Sequence, residues 1–331
     1  MSARAGLSIQ RWTPLSVASA AALGALALAL AFGPLYLGAN AVDRLTTLFI
    51  YVILAVMWNA LAGYGGLVSV GQQAFFGIGA YAAIRLSSFG MDVYPALVLG
   101  AAFAGLVALA LSSFALRLRG GEFAIGMWVV AELLHLLVNL DRLIQGETGT
   151  SLIALNAFGP EARRDYNYWL ALAGMAGLTA LVFALLRGRL GSSVQAIRDS
   201  EEAAASLGVR VLATKRILFV IAGAGCGFAG ALYLASAISF QPATYFGVQW
   251  TAYMIFMALV GGLGTFEGPI IGALVFFALE SVFGASGVWY LVGLGAAAVA
   301  FALYLPRGLW GSIEERLGIR LLPVGYRVTP R

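Results

Sequence analysis

Few side chains in this sequence could do chemistry within its apolar stretches. Glu132 and His135 stand three residues apart, so on a helix they share one face, and Asn139 extends that face by four. Glu-x-x-His is half of a di-iron carboxylate pattern, but the complete site needs a second histidine, and His135 is the only one in the chain. Cys226 is the single cysteine, which excludes an intrachain disulfide and a thiolate metal cluster. The single lysine, Lys215, follows Thr214 rather than the glycine of a phosphate-binding Gly-Lys-Ser/Thr loop. No metal ligand set and no acid–base pair at recognisable spacing emerges, so the expectation is a chain that is not an enzyme and carries no cofactor of its own. Ser69, Gln72, Gln73 and Phe76 form a second polar stripe at three- and four-residue spacing, and Glu280 stands alone near the end of an apolar run.

These groups sit in a sequence that cannot be a soluble globule. Of 331 residues, 61% are apolar and only 11% charged, against about 45–50% and about 25% in soluble domains. The mean hydropathy of +0.90 agrees. The fold class expected is an all-α, polytopic helical bundle in a membrane, a single transmembrane domain over 1–331. Ten apolar segments suit crossing helices: Val17–Tyr36, Leu45–Tyr64, Leu67–Ile84, Tyr94–Leu116, Phe123–Leu140, Tyr166–Leu186, Ile217–Gln241, Val248–Phe266, Pro269–Phe283 and Val288–Leu305. The third and ninth are short and glycine-rich at their starts, so each is a candidate half-helix or re-entrant segment. The run from Leu15 to Phe32 is longer than a signal-peptide core and is read as the first span.

The net charge of +5 reports orientation rather than nucleic-acid binding. With ten spans, only Arg44, Arg85, Arg142, Arg163 and Arg164 of the 20 basic residues fall on one side, while Asp and Glu divide almost evenly. That is the positive-inside pattern, and it puts both termini, the loop 187–216 and the short tail 306–331 in the cytoplasm.

Ionisable groups inside spans are costly and are functional candidates by default. Glu132 and His135, with Ser69, Gln72, Gln73 and Phe76, are therefore candidates for a translocation path. The competing reading is polar glue between helices. Gly65 and Gly66, and Gly261, Gly262 and Gly264, break two hydrophobic runs, and irregular backbone at depth must line a cavity or be buried in protein. The two breaks echo one another as Gly-Gly-Leu followed by Ser69 or Thr265.

In the cytoplasmic loop, Asp199 or Ser200 can cap a two-turn helix. Glu201 and Glu202 fall in its first turn, Ala203 and Ala204 within it, and Gly208 suits the left-handed position after its end. Ile197, Ser200, Ala204 and Leu207 are spaced as a small apolar face, with Arg198, Glu201 and Glu202 away from it. So short a helix is unstable alone, and an alanine-rich face without Trp or Phe suits docking in a protein groove better than resting on lipid.

Glu202-Ala203-Ala204 with Gly208 resembles the coupling-loop core of ABC importer permeases. The run from Gly188 to Val209, the run from Gly63 to Tyr81, and Gly261 to Pro269 together resemble the branched-chain amino acid permeases of the LivM type, in order over Leu48 to Gly308. The resemblance implies an importer subunit in a bacterial inner membrane. It would pair with a second homologous permease, two ATP-binding subunits that carry ATP and Mg, and a periplasmic substrate-binding protein, among membrane lipid and without nucleic acid. Arg198, Glu201, Glu202, Ala203, Ala204, Leu207 and Gly208 are then the residues that couple to the ATPase. Arg119 to Trp128 and Gly146 to Thr150 depart from the family pattern, which leaves urea, amides or other amino acids beside branched-chain amino acids as the cargo. The alternative is a stand-alone secondary transporter that uses Glu132 and His135 as a proton relay.

Overall fold

Apolar runs opened by proline at Pro14, Pro160 and Pro269, and without proline further in, become helices. The computed structural model describes residues 7–10, 12–318, 321–322, 324 and 327–330. The helices are α1 (Pro14–Ala31), α2 (Ala39–Asn59), α3 (Gln73–Ser88), α4 (Val93–Ala115), α5 (Gly120–Asn139) and α6 (Pro160–Arg187). There follow α7 (Arg189–Asp199), α8 (Glu201–Ser206), α9 (Val211–Ala237), α10 (Gln249–Gly261), α11 (Gly268–Phe283), α12 (Val288–Tyr304) and α13 (Gly308–Leu317). Among the described residues, eight helical stretches are long and apolar enough to cross a membrane. The third and ninth expected spans fall short of that, since α3 and α11 have 16 residues each.

Burial orders the bundle. The apolar window of α2 is 83% buried and forms the centre, whereas that of α1 is 6% buried and lies at the rim. Helix α2 packs on α6, α9 and α11, while α3, α4 and α9 form a tight trio. Small residues set that closeness: a Cβ on Gly79 of α3 would overlap the backbone of Gly227 in α9, as expected where membrane helices touch through glycine. Helix α1 is fastened by the hydroxyl of Tyr168, which donates to the Leu30 carbonyl at 2.7 Å, and the indole N–H of Trp169, which donates to that of Ala31 at 2.9 Å.

Two short strand pairs close the ends. Thr150–Ser151 pairs antiparallel with Ser239–Phe240, tying the loop before α6 to the segment after α9. Leu7–Gln10 pairs antiparallel with Arg327–Pro330.

Candidate functional site

The loop between α6 and α9 is mostly helical. Upstream of the expected short helix stands α7, which the sequence reading treated as loop; Gly191, Val194 and Ile197 are its buried face and were the periodic signal for it. Ser200, with extended backbone, separates α7 from α8 and caps the latter by accepting from the Ala203 N–H at 3.3 Å. Gly208 has φ +83°, and its N–H reaches the Ala205 carbonyl at 2.9 Å, which ends α8. Ile197 and Ala204 are buried, but Leu207 is 82% exposed, so the single apolar face expected from their spacing is corrected to two surfaces.

Charged residues of this loop reach into the bundle. Arg198, expected to lie away from the apolar face, places Nη1 3.0 Å from the carbonyl oxygen of Gly63 and Nη2 3.2 Å from Asp199. Glu201 takes an ion pair at 2.6 Å from Lys215, whose side chain is mostly buried at the start of α9. Glu202, Ala203 and Leu207 stay exposed at the tip.

The two glycine breaks meet at the end of the bundle nearest this loop. Helix α2 runs into a π-helical turn, Ala60–Tyr64, and then leaves helical geometry at Gly66, φ +68°. Gly262 and Gly264, at φ +134° and +76°, turn the chain between α10 and α11. Gly65 (φ −85°) and Gly261, expected as break points, keep right-handed conformations; in both the missing Cβ serves close approach instead. Asn59 clasps the second break, since its amide donates to the Thr265 carbonyl at 2.9 Å and accepts from the Gly264 N–H at 2.9 Å. Asn59 was missed by the sequence reading, although a lone amide in an apolar helix was the available signal. A cavity of about 530 Å³, lined by Gly66, Val68, Arg119, Arg198, Glu201 and Lys215 among others, opens between the first break, α5 and the loop.

After Gly66 the chain turns back beside α2, where the Trp58 indole N–H donates to the Ser69 carbonyl at 3.0 Å. Helix α3 therefore begins inside the bundle. There Ser69, Gln72, Gln73 and Phe76 are all buried. The Gln73 N–H and side chain both engage the Thr251 hydroxyl, and Phe76 stacks on Trp250 with ring centres 4.2 Å apart. Neither amide atom of Gln72 has a hydrogen-bond partner among the described residues.

The α5 stripe is drawn together with the loop that follows it. His135 places Nδ1 3.3 Å from Glu132 and Nε2 2.8 Å from Glu147, with its ring stacked on Phe246. Asn139 also donates to Glu147, whose other oxygen accepts from the Ala243 N–H at 3.0 Å. Burial acts to raise the Glu147 carboxyl, but the hydrogen bonds from Asn139 and Ala243 and the nearby imidazole outweigh it and hold the carboxyl below its ordinary value. Glu132 is more exposed, its side chain at 59%. Glu280 is not alone as expected: the Tyr51 hydroxyl donates to it at 2.7 Å.

The sequence pattern of a family described as the permease component of branched-chain amino acid transport systems matches residues 40–306. The chain is 27% identical over 322 residues to the high-affinity branched-chain amino acid transport system permease protein LivM of Escherichia coli, covering 89% of this chain and 75% of that one. To LivM of Salmonella typhimurium it is 27% identical over 314 residues, covering 87% and 74%. The L-arabinose transport system permease protein AraH of Escherichia coli is 29% identical over 153 residues, 44% of each chain. No solved structure matches.

Proposed function

This chain belongs to the permease-component family of branched-chain amino acid transport systems, and from that premise we propose that it is the membrane subunit of an importer, moving branched-chain amino acids or a related small polar solute inward. ABC transporter permeases are subunits of larger systems, and this one is a multi-pass inner-membrane protein. In the proposed assembly it joins a second homologous permease, two ATP-binding subunits that supply ATP and Mg, and a periplasmic binding protein. Both termini and the loop 187–216 face the cytoplasm.

The observation that carries this reading is the geometry of α8. A two-turn helix with both ends specified, Ser200 at one and Gly208 at the other, presents exposed Glu202, Ala203 and Leu207 at its tip. Leu207 at 82% exposure is an apolar side chain on a polar loop, the kind of anchor a helix-in-groove contact uses. At its other side the same loop grips the bundle through Arg198–Gly63 and Glu201–Lys215. A push on α8 is thereby delivered to the first glycine break, and through Asn59 to the second. Cargo identity rests on the family description and the two LivM relatives.

The test is to express Leu207→Glu and Glu202→Lys in cells that carry the whole system. Uptake of radiolabelled leucine should fall at least about tenfold, if a buried apolar anchor of about 1.5–3 kcal/mol is lost. The ATP-binding subunit should no longer co-purify, while the variant chain accumulates normally in the membrane. Normal uptake with normal co-purification would remove the docking role.

A further inference from the structure

Helix α12 packs on α10 and leaves a groove of about 330 Å³ against α11, at the end of the bundle opposite the Arg198 loop. Its walls are apolar: Leu279 and Phe283 from α11, and Gly293 and Leu294 from α12, with Trp289 and Tyr290 near its mouth. Two observations mark it as a binding site rather than loose packing. Tyr290 is only 9% exposed, and its hydroxyl, although buried, has no hydrogen-bond partner among the described residues. A buried hydroxyl left without a partner costs about 1–3 kcal/mol, so the groove calls for an occupant that brings an acceptor. Trp289, 79% exposed, lies beside it at the start of α12, and Trp and Tyr at the ends of membrane helices favour the headgroup boundary of a bilayer.

We propose that this groove binds one glycerophospholipid. An acyl chain lies along Leu279, Phe283 and Leu294 over the bare backbone of Gly293, and an ester carbonyl of the same lipid accepts the hydrogen bond of Tyr290. The shape argues against a protein occupant. One turn of a helix about 10 Å across and about 5.4 Å long fills roughly 420 Å³, more than the groove of about 330 Å³, whereas a hydrocarbon chain is slender and apolar. A glycerophospholipid carries ester carbonyls at the head of its chains and so supplies the acceptor that the Tyr290 hydroxyl lacks among the described residues.

The test uses the assembled transporter in detergent, titrated with dioleoyl phosphatidylethanolamine and read by native mass spectrometry. The wild-type protein should retain one lipid through delipidation. Tyr290→Phe should weaken retention about three- to tenfold, the loss of one hydrogen bond. On the wild type an ether-linked analogue lacking the ester carbonyls should bind as weakly as the diester lipid does on Tyr290→Phe. Gly293→Phe, at a position with open space around it, should fill the groove and abolish retention. Equal retention by wild type and Tyr290→Phe, or no preference for ester over ether, overturns the proposal. So does loss of the second permease from the complex in Gly293→Phe with lipid retention unchanged, which would assign the groove to a protein contact.

Discussion

The guanidinium of Arg198 donates to the carbonyl oxygen of Gly63 at 3.0 Å, across 135 positions of chain. Gly63 lies in the π-helical turn that ends the helical run begun by α2, where carbonyls have lost their helical partners and a cation is favoured. A residue of the loop thus serves as the C-terminal cap of the most buried helix. Removing it in Arg198→Ala should cost about 1 kcal/mol of stability, the low end for a charged hydrogen bond because the side chain is partly exposed. Uptake should fall much further than stability, since the loop would no longer grip the break. Arg198→Lys keeps the charge without the planar fork and should be intermediate. Thermal denaturation and leucine uptake on the same three proteins check this.

Lys215 and Glu201 form the second grip. Glu201→Gln leaves the ammonium group of Lys215, 8% exposed, without its counter-charge. The expected loss is about 1–2 kcal/mol, below that of a fully buried pair because Glu201 is about one-third exposed. The exchange of Glu201→Lys with Lys215→Glu should recover part of it. A double-mutant cycle on melting temperature measures the coupling, and additive single losses would show that the pair contributes nothing.

The comparison of sequence and structure turns on how local each determinant is. Ser200 and Gly208 were legible because capping chemistry is decided within four residues. The third and ninth segments were legible as short because glycine and polar residues interrupt their apolar runs. Leu207 was misread for a definite reason. Its spacing from Ile197 and Ala204 assumes one continuous helix, but Ser200 at φ −159° resets the axis between α7 and α8, and periodicity does not survive a change of axis. The clasp of Asn59 on Gly264 and Thr265 joins positions 205 and 206 apart. Nothing in either local pattern encodes that meeting beyond the echo of the two glycine breaks. Glu280 looked solitary for the same reason, since Tyr51 lies 229 positions away.

Glu147 gives the molecule a pH-dependent fastening. Its carboxylate gathers Asn139, His135 and the Ala243 N–H, and its folded value is lowered. For a carboxyl with a depressed folded value, the stabilisation is fully present above the unfolded value of about 4.3 and is lost as pH falls through the folded value. Melting temperature should therefore drop between about pH 5 and 3 more steeply in the wild type than in Glu147→Gln, which accepts fewer hydrogen bonds and does not titrate. Parallel curves over that range would show that Glu147 holds nothing. Limited proteolysis after position 148 should also be faster in Glu147→Gln at neutral pH, because the loop loses its hold on α5.

Gly79 and Gly24 offer a contrast at the level of a single methyl group. Both lie within helices, and alanine favours a helix over glycine by about 0.5–1 kcal/mol. At Gly24 on the exposed face of α1 no atom stands within 4 Å of the added carbon, so Gly24→Ala should be neutral or slightly stabilising. At Gly79 the added carbon would meet the backbone of Gly227, which no rotamer change relieves. Helices α3 and α9 would have to part, and α4 packs on both. Overpacking of this kind costs about 1–3 kcal/mol, which exceeds the helix gain. Gly79→Ala should therefore lower the melting temperature, and Gly227→Ala should do the same by pressing on Ala104 of α4. Equal melting temperatures for Gly79→Ala and Gly24→Ala would show that the trio is not packed backbone to backbone. The start of α3 carries Gln73 and Phe76 on the same helix, so a shift at Gly79 should also disturb the contact of Phe76 with Trp250 and appear as a change in tryptophan fluorescence.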